Sequence, residues 1–329
     1  VAKKILIACD LPEAFLDRLR RAGFELASVP GRDALGVSLK GVHGLLTGSR
    51  FRFSDEILAQ ADCLAAISFC GVGSGTYVAE AAASRRGIAV MNAPGVNADS
   101  VAEYAVGFLL ALQKRLVAES NALKAGSPQR SMHYGVRGLT VGILGMGHVG
   151  RRIAEILFHG FQTPILYHSR SSKPQAEQEL KARFVPLDTL LSESDALFLA
   201  LPETPETRGM ISGPQLARMK RSSLLINPAR PGLVDGQALA GALCNGLIRA
   251  AAFDGYYLSH PYPRCSEEDP FGLLSLPDDR FLCTPHVGSR IQQVWDALFE
   301  RAVDNLIGFF ATGHSPHIVN PDFRSRLRD

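Results

Sequence analysis

The stretch from Gly138 to Ala154 limits what this chain can fold into more than any other. An apolar run, Leu139 to Leu144, passes directly into Gly145-Met-Gly147-His148-Val149-Gly150, and amphipathic helical spacing follows. The order is strand, tight glycine turn, helix N-terminus. In G-x-G-x-x-G spacing the first glycine permits the turn and the second lets a pyrophosphate approach the backbone. The third lets the helix sit close on its strand. The unpaired N–H groups of the first helical turn then face the ligand's negative charge. Alone, a glycine turn satisfies backbone geometry and nothing more; between a strand and a helix it points to a bound dinucleotide.

The surrounding chain reads as two α/β series. A length of 329 residues accommodates about two domains, each with its own core. Before the fingerprint, strands are expected at Lys4 to Ala8, Phe24 to Val29, Gly44 to Thr47, Leu64 to Phe69 and Ile88 to Met91. Helices are expected over Pro12 to Arg21, from an Ser54 N-cap to Ala61, and over Thr76 to Arg86. Alternation of this kind predicts parallel sheets covered on both faces. Asn92-Ala-Pro-Gly-Val-Asn97 is turn chemistry and marks a boundary. A single long helix is expected from Ala98 to about Lys124, apolar over more than one face and so buried between domains or subunits. After the fingerprint, strands are expected at Ile165 to Tyr167, Ala196 to Leu201, Ser223 to Ile226, Arg249 to Phe253 and Phe281 to Cys283. Helices follow at Pro214 to Lys220, Gly236 to Asn245 and Arg290 to Ala311; in the last, Trp295, Phe299, Phe309 and Phe310 read as packing residues.

Composition excludes several function classes. Apolar residues make up 46% and charged residues 20%, with a formal net charge of +3, which argues for neither a nucleic-acid nor a membrane partner. No apolar run approaches the roughly 20 residues of a membrane span. The opening Val1 to Ala8 reads as a strand rather than a signal peptide. Cys9, Cys63, Cys70, Cys244, Cys265 and Cys283 lack C-x-x-C or metal-ligand spacing, so no metal site is expected. Buried free thiols in a reducing, cytoplasmic compartment are the expectation.

Cofactor choice is read from the end of the second strand after the glycines. An NAD-type site places a carboxylate there, against the ribose hydroxyls. Here the stretch is Tyr167-His-Ser169-Arg170-Ser171-Ser-Lys173. A guanidinium with flanking hydroxyls suits a 2′-phosphate, so NADP is expected, with NAD as second choice. Three polar residues then stand at successive strand ends: Arg230 in Asn227-Pro-Ala-Arg230-Pro-Gly, Asp254, and His286 in Cys283-Thr-Pro-His286-Val-Gly288. Open α/β sheets bind ligands at those ends. A lone histidine is usually just hydrogen-bonded; three such residues beside a dinucleotide site are much harder to attribute to coincidence.

With these motifs, together with Cys70-Gly71-Val72-Gly73, Asn97-Ala-Asp-Ser-Val101-Ala-Glu103 and Leu201-Pro-Glu-Thr-Pro-Glu-Thr207, the chain resembles the D-2-hydroxyacid dehydrogenases over nearly its whole length. The resemblance implies two doubly wound parallel-sheet domains. A Rossmann-type dinucleotide-binding domain, 99–290, would be inserted in a flavodoxin-like catalytic domain made of 1–98 and 291–329. It implies a homodimer joined through the cofactor domain. It further implies hydride transfer between NADP(H) and a 2-oxo acid or D-2-hydroxy acid, as a reductase of glyoxylate, hydroxypyruvate or a larger aromatic 2-oxo acid. Arg230 would bind the substrate's carboxylate and ketone oxygens, the backbone N–H groups of Val72 and Gly73 would complete the carboxylate site, and His286 would give the ketone its proton. Gly145, Gly147, His148, Val149, Gly150, Ser169, Arg170, Ser171, Thr207, Asp254 and Gly288 would hold the cofactor, Asp254 through the nicotinamide carboxamide. Closure of the two domains would exclude water.

The family pattern breaks after Asp254. A glutamate followed by proline, five residues on, normally pairs with the histidine and keeps it protonated. Counting five reaches Ser259, matching the proline reaches His260, and Glu267 or Glu268 could fold back from the insert Tyr262 to Asp269. Without a carboxylate partner the optimum for reduction is expected to move acidic. Pro231 replaces a usual glycine, and Gly75 stands where many relatives carry aspartate; Tyr256, Tyr257 and Tyr262 add bulk nearby. The missing glutamate favours the alternative of a catalytically weakened relative that senses dinucleotides. Retention of Arg230 and His286 argues against it.

Overall fold

Strands that read as continuous apolar runs, without polar alternation, need cover on both faces. The structure, a computed structural model, describes residues 2–29, 31, 35–128, 130–258 and 268–326. It divides into two compact units, Val1–Asn97 with Ile291–Asp329, and Ala98–Arg290.

In the first unit β1 (Lys4–Ala8), β2 (Glu25–Ser28), β3 (Gly44–Thr47), β4 (Ala66–Phe69) and β5 (Ala89–Met91) form a parallel sheet in the order β2-β1-β3-β4-β5. That is the flavodoxin-like order. Side-chain alternation sends Leu6, Leu45, Ile67 and Val90 to one face, against Leu39, Phe53, Leu58 and Val78. Ile5, Leu46, Ala66 and Ala89 point to the other, against Leu19 of α1 (Glu13–Arg21) and the final long helix. The short helices α2 (Asp55–Leu58) and α3 (Glu80–Arg85) complete this part of the unit.

In the second unit β6 (Val141–Leu144), β7 (Ile165–His168), β8 (Arg183–Phe184), β9 (Ala196–Leu199), β10 (Leu224–Asn227), β11 (Ala250–Asp254) and β12 (Phe281–Thr284) form a parallel sheet ordered β12-β11-β10-β9-β6-β7-β8. Read from β6, this is the doubly wound order of dinucleotide-binding folds, extended by one strand. One face packs Val141, Ile143, Phe198 and Ile226 against α4 (Ala98–Gln113) and α6 (His148–Phe161). The other packs Leu144, Leu197, Leu225 and Phe253 against α8 (Leu187–Glu193), α9 (Gly213–Arg218) and α10 (Gly236–Cys244). Between them in sequence lie α5 (Leu116–Lys124) and α7 (Pro174–Leu180). The chain then returns to the first unit as α11 (Gln292–Thr312), ended by Gly313 at φ +70°. Phe299 and Phe309 are buried there, with Trp295 and Phe310 packed against them.

Three local expectations are corrected. The long helix breaks after Gln113: Arg115 adopts φ +52° and starts α5 as a separate helix. Its guanidinium meets Asp279 at 2.6 Å and Glu119 at 3.7 Å, so ion pairs hold a conformation that disfavours most side chains. The expected helix at Thr76 begins only at Glu80, because Ser74–Thr76 forms a 3-10 turn in which Ser74 Oγ donates to Glu80 Oε1 at 2.6 Å. The thiols are not uniformly buried: Cys70 is buried, Cys9 and Cys283 are half-buried, and Cys63 and Cys244 are exposed. Among the described residues no helix is long and apolar enough to cross a membrane, and no cluster of three metal-ligating side chains occurs.

Candidate active site

The strand order reverses between β6 and β9, which is where a doubly wound sheet opens its ligand crevice. The glycine turn lies at that point. Gly145 has φ +101°, and a Cβ there would lie 2.4 Å from the Ala200 carbonyl oxygen just past β9. A Cβ on Gly150 would lie 2.0 Å from the Gly145 carbonyl oxygen, so α6 can approach its strand only as glycine. Gly147 differs: nothing in the protein lies within 4 Å of where its Cβ would be. The open space falls at the N-cap of α6, followed by exposed His148 and half-buried Val149. Open space at a helix N-terminus leaves room for an anion beside unpaired N–H groups.

Beyond β7 the backbone carries Ser169, Arg170 and Ser171 with no carboxylate among them. Ser169 Oγ donates to the Ser171 carbonyl at 2.7 Å, and Lys173 Nζ stands 3.4 Å from Ser171 Oγ. Arg170 is exposed and enters no ion pair among the described residues. Tyr167 OH donates to Glu177 at 2.6 Å and accepts from Lys173 N. Burial, with that hydrogen bond, pushes the Tyr167 phenol up to about 12, so it remains a neutral donor.

Arg230 and His286 meet directly. Arg230 follows β10, its backbone held by Asn227, whose side-chain amide donates to the Arg230 carbonyl at 2.8 Å and accepts from Ala229 N at 3.1 Å. Arg230 NH1 lies 3.2 Å from His286 Nε2. A guanidinium only donates, so Nε2 is the acceptor in this contact and Nδ1 carries the hydrogen. Nδ1 faces the Asp254 backbone carbonyl at 3.2 Å, with Asp254 Oδ2 at 3.9 Å. His286 has φ +57°, a strained conformation for a residue with a Cβ.

The strain is held by Asp254. Its carboxylate is 3% exposed. Oδ1 accepts from Thr284 Oγ1 at 2.7 Å and Val287 N at 2.8 Å; Oδ2 accepts from Gly288 N at 2.7 Å. A Cβ on Gly288 would fall 2.8 Å from Oδ2, and its carbonyl accepts from Ser100 Oγ at 2.6 Å. The carboxylate therefore clamps the whole His286 turn. Burial, then the charge of Asp254, pushes the neighbouring Cys283 thiol up to about 12. The clamp through Thr284 and Val287 was not legible in sequence, because both are ordinary turn residues until Asp254 is placed among them.

Other expected residues serve nearer ends. Thr207 Oγ1 donates to the Pro202 carbonyl and accepts from Thr204 N, both at 2.8 Å, so this hydroxyl shapes its own loop. Tyr256 and Tyr257 are packed among Phe253, Phe271 and Phe281. Asp269 accepts from Tyr256 OH, Phe271 N and Leu274 N, anchoring the end of the insert. Glu268 is exposed and pairs with no described residue. Ser259, His260, Tyr262 and Glu267 lie outside the described residues. Pro231 opens a 3-10 turn, Pro231–Leu233, directly after Arg230.

In the first unit the segment after β4 leaves two donors open. Cys70 N donates to Thr47 O and Gly71 N to Phe69 O, while Val72 O accepts from Asn92 Nδ2 at 2.6 Å. The exposed N–H groups of Val72 and Gly73 donate to no described acceptor. In the same unit, Ser49, Arg50, Arg52 and Tyr77 line a pocket of about 290 Å³.

Comparison with known proteins identifies the family. Residues 106–288 match the family model for the D-isomer specific 2-hydroxyacid dehydrogenase NAD binding domain. Glyoxylate/hydroxypyruvate reductase B of Serratia proteamaculans is 35% identical over 96% of this chain and 95% of its own length. Its Yersinia enterocolitica counterpart is 37% identical over the same shares. The crystal structure of the NADPH-dependent glyoxylate/hydroxypyruvate reductase of Sinorhizobium meliloti with NADP and malonate superposes with a TM-score of 0.84 at 27% identity, covering 98% of each chain. A glyoxylate reductase from Paecilomyes thermophila gives 0.86 at 25% identity, covering 97% of this chain and 98% of its own. With its two parallel α/β sheets, its glycine turn at the switch point and its Arg230–His286 pair, the chain belongs to the D-isomer specific 2-hydroxyacid dehydrogenase family.

Proposed function

We propose that this protein is an NADP(H)-linked reductase of small 2-oxo acids, glyoxylate and hydroxypyruvate foremost, yielding D-2-hydroxy acids where the product is chiral. The 3.2 Å contact between Arg230 and His286 Nε2 carries the reading. A ketone oxygen placed between these groups would meet a fixed positive charge and a proton source together. The names of the reductase relatives support the substrate class.

The cradle at Gly147 and exposed Arg170, which enters no ion pair among the described residues, fit an NADP-type dinucleotide. Gly145, Gly147, His148, Val149 and Gly150 would hold the pyrophosphate, and Ser169, Arg170 and Ser171 the 2′-phosphate. Thr207, Asp254 and Gly288 would border the rest of the cofactor. When bound, the reduced nicotinamide supplies the hydride. Arg230 orients the carboxylate and ketone oxygens through its planar donor fork and stabilises the developing alkoxide. Protonated His286 donates from Nε2, since Nδ1 is held toward Asp254. The N–H groups of Val72 and Gly73 would add donors to the carboxylate. On this assignment Ala98–Arg290 is the dinucleotide-binding domain and the remainder the substrate-binding domain.

Reduction of glyoxylate and hydroxypyruvate, followed as loss of nicotinamide absorbance with chiral analysis of the glycerate formed, tests the reading; L-glycerate as the product would refute it. Arg170→Asp is expected to weaken NADPH relative to NADH by roughly 10- to 100-fold in kcat/KM, the effect of losing a charge-assisted hydrogen bond. An unchanged ratio would remove Arg170 from the cofactor site. Asp254→Asn withdraws a negative charge from the imidazolium, which is the form needed for reduction. The falling limb of the reduction profile should therefore move to lower pH, by about one unit or more. An unmoved limb would show that Asp254 acts on the turn's geometry alone.

We further propose a homodimer working in the cytoplasm. Exposed Leu116, Leu123, Met132 and Tyr134 cluster in one stretch of the second unit, which supports an interface there. Free thiols at the five described cysteines suit a reducing compartment. Light scattering is expected to return twice the chain mass.

A further inference from the structure

Cys9 and Cys70 are 61 residues apart in sequence, yet their sulfurs lie 3.9 Å apart. Each stands one residue past the C-terminal end of its strand, Cys9 after β1 and Cys70 after β4. The intervening β3 ends at Thr47, and the two thiols reach past Gly48, where even a Cβ would touch Cys9 Cβ at 3.5 Å. Cys70 is 6% exposed, whereas Cys9 is partly open to solvent. Nothing in the proposed reduction uses either sulfur. Cys70 does open the segment whose Val72 and Gly73 N–H groups have no described acceptor.

A disulfide requires sulfurs about 2.05 Å apart and a Cβ–Cβ distance near 3.8 Å. β3 lies between β1 and β4, and two strand spacings of about 4.8 Å exceed the Cα–Cα reach of about 6.8 Å that a disulfide usually spans. Backbone must move, and β1, β3 and β4 are paired in register up to their last residues. The movement falls on the segments beyond them, Cys9–Leu11 and Cys70–Gly73.

We propose that Cys9 and Cys70 are an oxidative modification site: a peroxide joins them in a reversible disulfide that displaces the Cys70–Gly73 segment and so weakens capture of the substrate carboxylate. The last step rests on the assignment of Val72 and Gly73 to the carboxylate. The Cys9 sulfur, as thiolate, attacks one oxygen of hydrogen peroxide. An S–O bond forms, the O–O bond breaks, and the departing hydroxide takes a proton to leave as water. The Cys70 sulfur then attacks the Cys9 sulfur. The S–S bond forms, the S–O bond breaks, and the second hydroxide leaves as water with the Cys70 proton. Two thiols are oxidised by two electrons and one peroxide is reduced to two waters; a dithiol reverses the change. The hydrogen bond with Cys9, together with burial, holds the Cys70 thiol well above its ordinary range. The accessible Cys9 therefore meets the oxidant first, and Cys70 gives up its proton to the leaving hydroxide only as it attacks.

The test treats full-length protein carrying Cys63→Ser, which removes the other cysteine from the Cys70 tryptic peptide, with hydrogen peroxide. Remaining thiols are blocked with N-ethylmaleimide, and crosslinked peptides are sequenced by mass spectrometry. A Cys9–Cys70 crosslink is expected, absent in Cys9→Ser and reversed by dithiothreitol. In parallel KM for glyoxylate should rise at least about tenfold while NADPH affinity stays level, and Cys9→Ser should keep its untreated KM under peroxide. No crosslink, or a crosslink that leaves KM unchanged, overturns the proposal. Failure of the untreated enzyme to reduce any 2-oxo acid would instead strike the reductase assignment, and the crosslink would still be read by mass.

Discussion

Arg230→Ala is expected to lower kcat/KM for 2-oxo acid reduction by about 10³-fold while leaving NADPH affinity within a factor of about two. Removing one preorganised donor from a developing oxyanion costs about 10²- to 10³-fold, and the lost carboxylate contact adds to it. Arg230 NH1 donates to the Ala229 carbonyl and to His286 Nε2, and both lose a donor on truncation. Arg230→Lys restores the charge without the planar fork, so it should recover only part of the loss. Calorimetric titration with NADPH separates the two halves of the claim. A variant that fails to bind NADPH would mean that Arg230 supports the cofactor site instead.

Gly150→Ala should strike the cofactor end. The added methyl would sit 2.0 Å from the Gly145 carbonyl oxygen and 3.1 Å from Ile143 Cγ2. Backbone on one side and β6 on the other leave no flexible neighbour to yield. The helix must lift from its strand, at a cost of about 1–3 kcal/mol, and the glycine turn moves with it. A fall in Tm of about 3–10 °C and at least tenfold weaker NADPH binding are the expected results. Gly147→Ala provides the contrast. Its methyl meets no protein atom within 4 Å, so Tm should hold while NADPH binding falls. Equal stability of Gly150→Ala and wild type would contradict the packing argument; unaltered NADPH affinity in Gly147→Ala would mean the ligand lies elsewhere.

Features that depend on local backbone chemistry were legible in sequence. The strand–turn–helix at Gly145–Gly150 is one, because each glycine answers a local steric demand. The buried strands were legible too, because continuous apolar runs admit few other fates in an alternating chain, whereas the exposed two-residue edge strand β8 carries no such run and was not expected. What escaped was set by contacts distant in sequence. The break at Arg115 carries no Gly or Pro; it is held by Asp279, 164 positions on, and Glu119. Asp254 reads as a strand-end acid, and only the fold reveals it gripping Thr284, Val287 and Gly288. The Cys9–Cys70 approach has no local signature either, since it arises from strand order. The residues able to stand in for the usual glutamate were narrowed on one side: Glu268 is exposed and pairs with no described residue.

On the proposed assignment Arg230 and His286 make a dinucleotide-binding fold into a reductase. Steady-state oxidation of NADPH with glyoxylate and hydroxypyruvate, beside a binding isotherm for NADPH on the same preparation, separates turnover from binding. Saturable turnover that collapses by about 10²- to 10⁴-fold in His286→Ala, with NADPH still bound, is the expected result. Tight NADPH binding with no oxidation of it by any 2-oxo acid would contradict the assignment and leave a dinucleotide sensor.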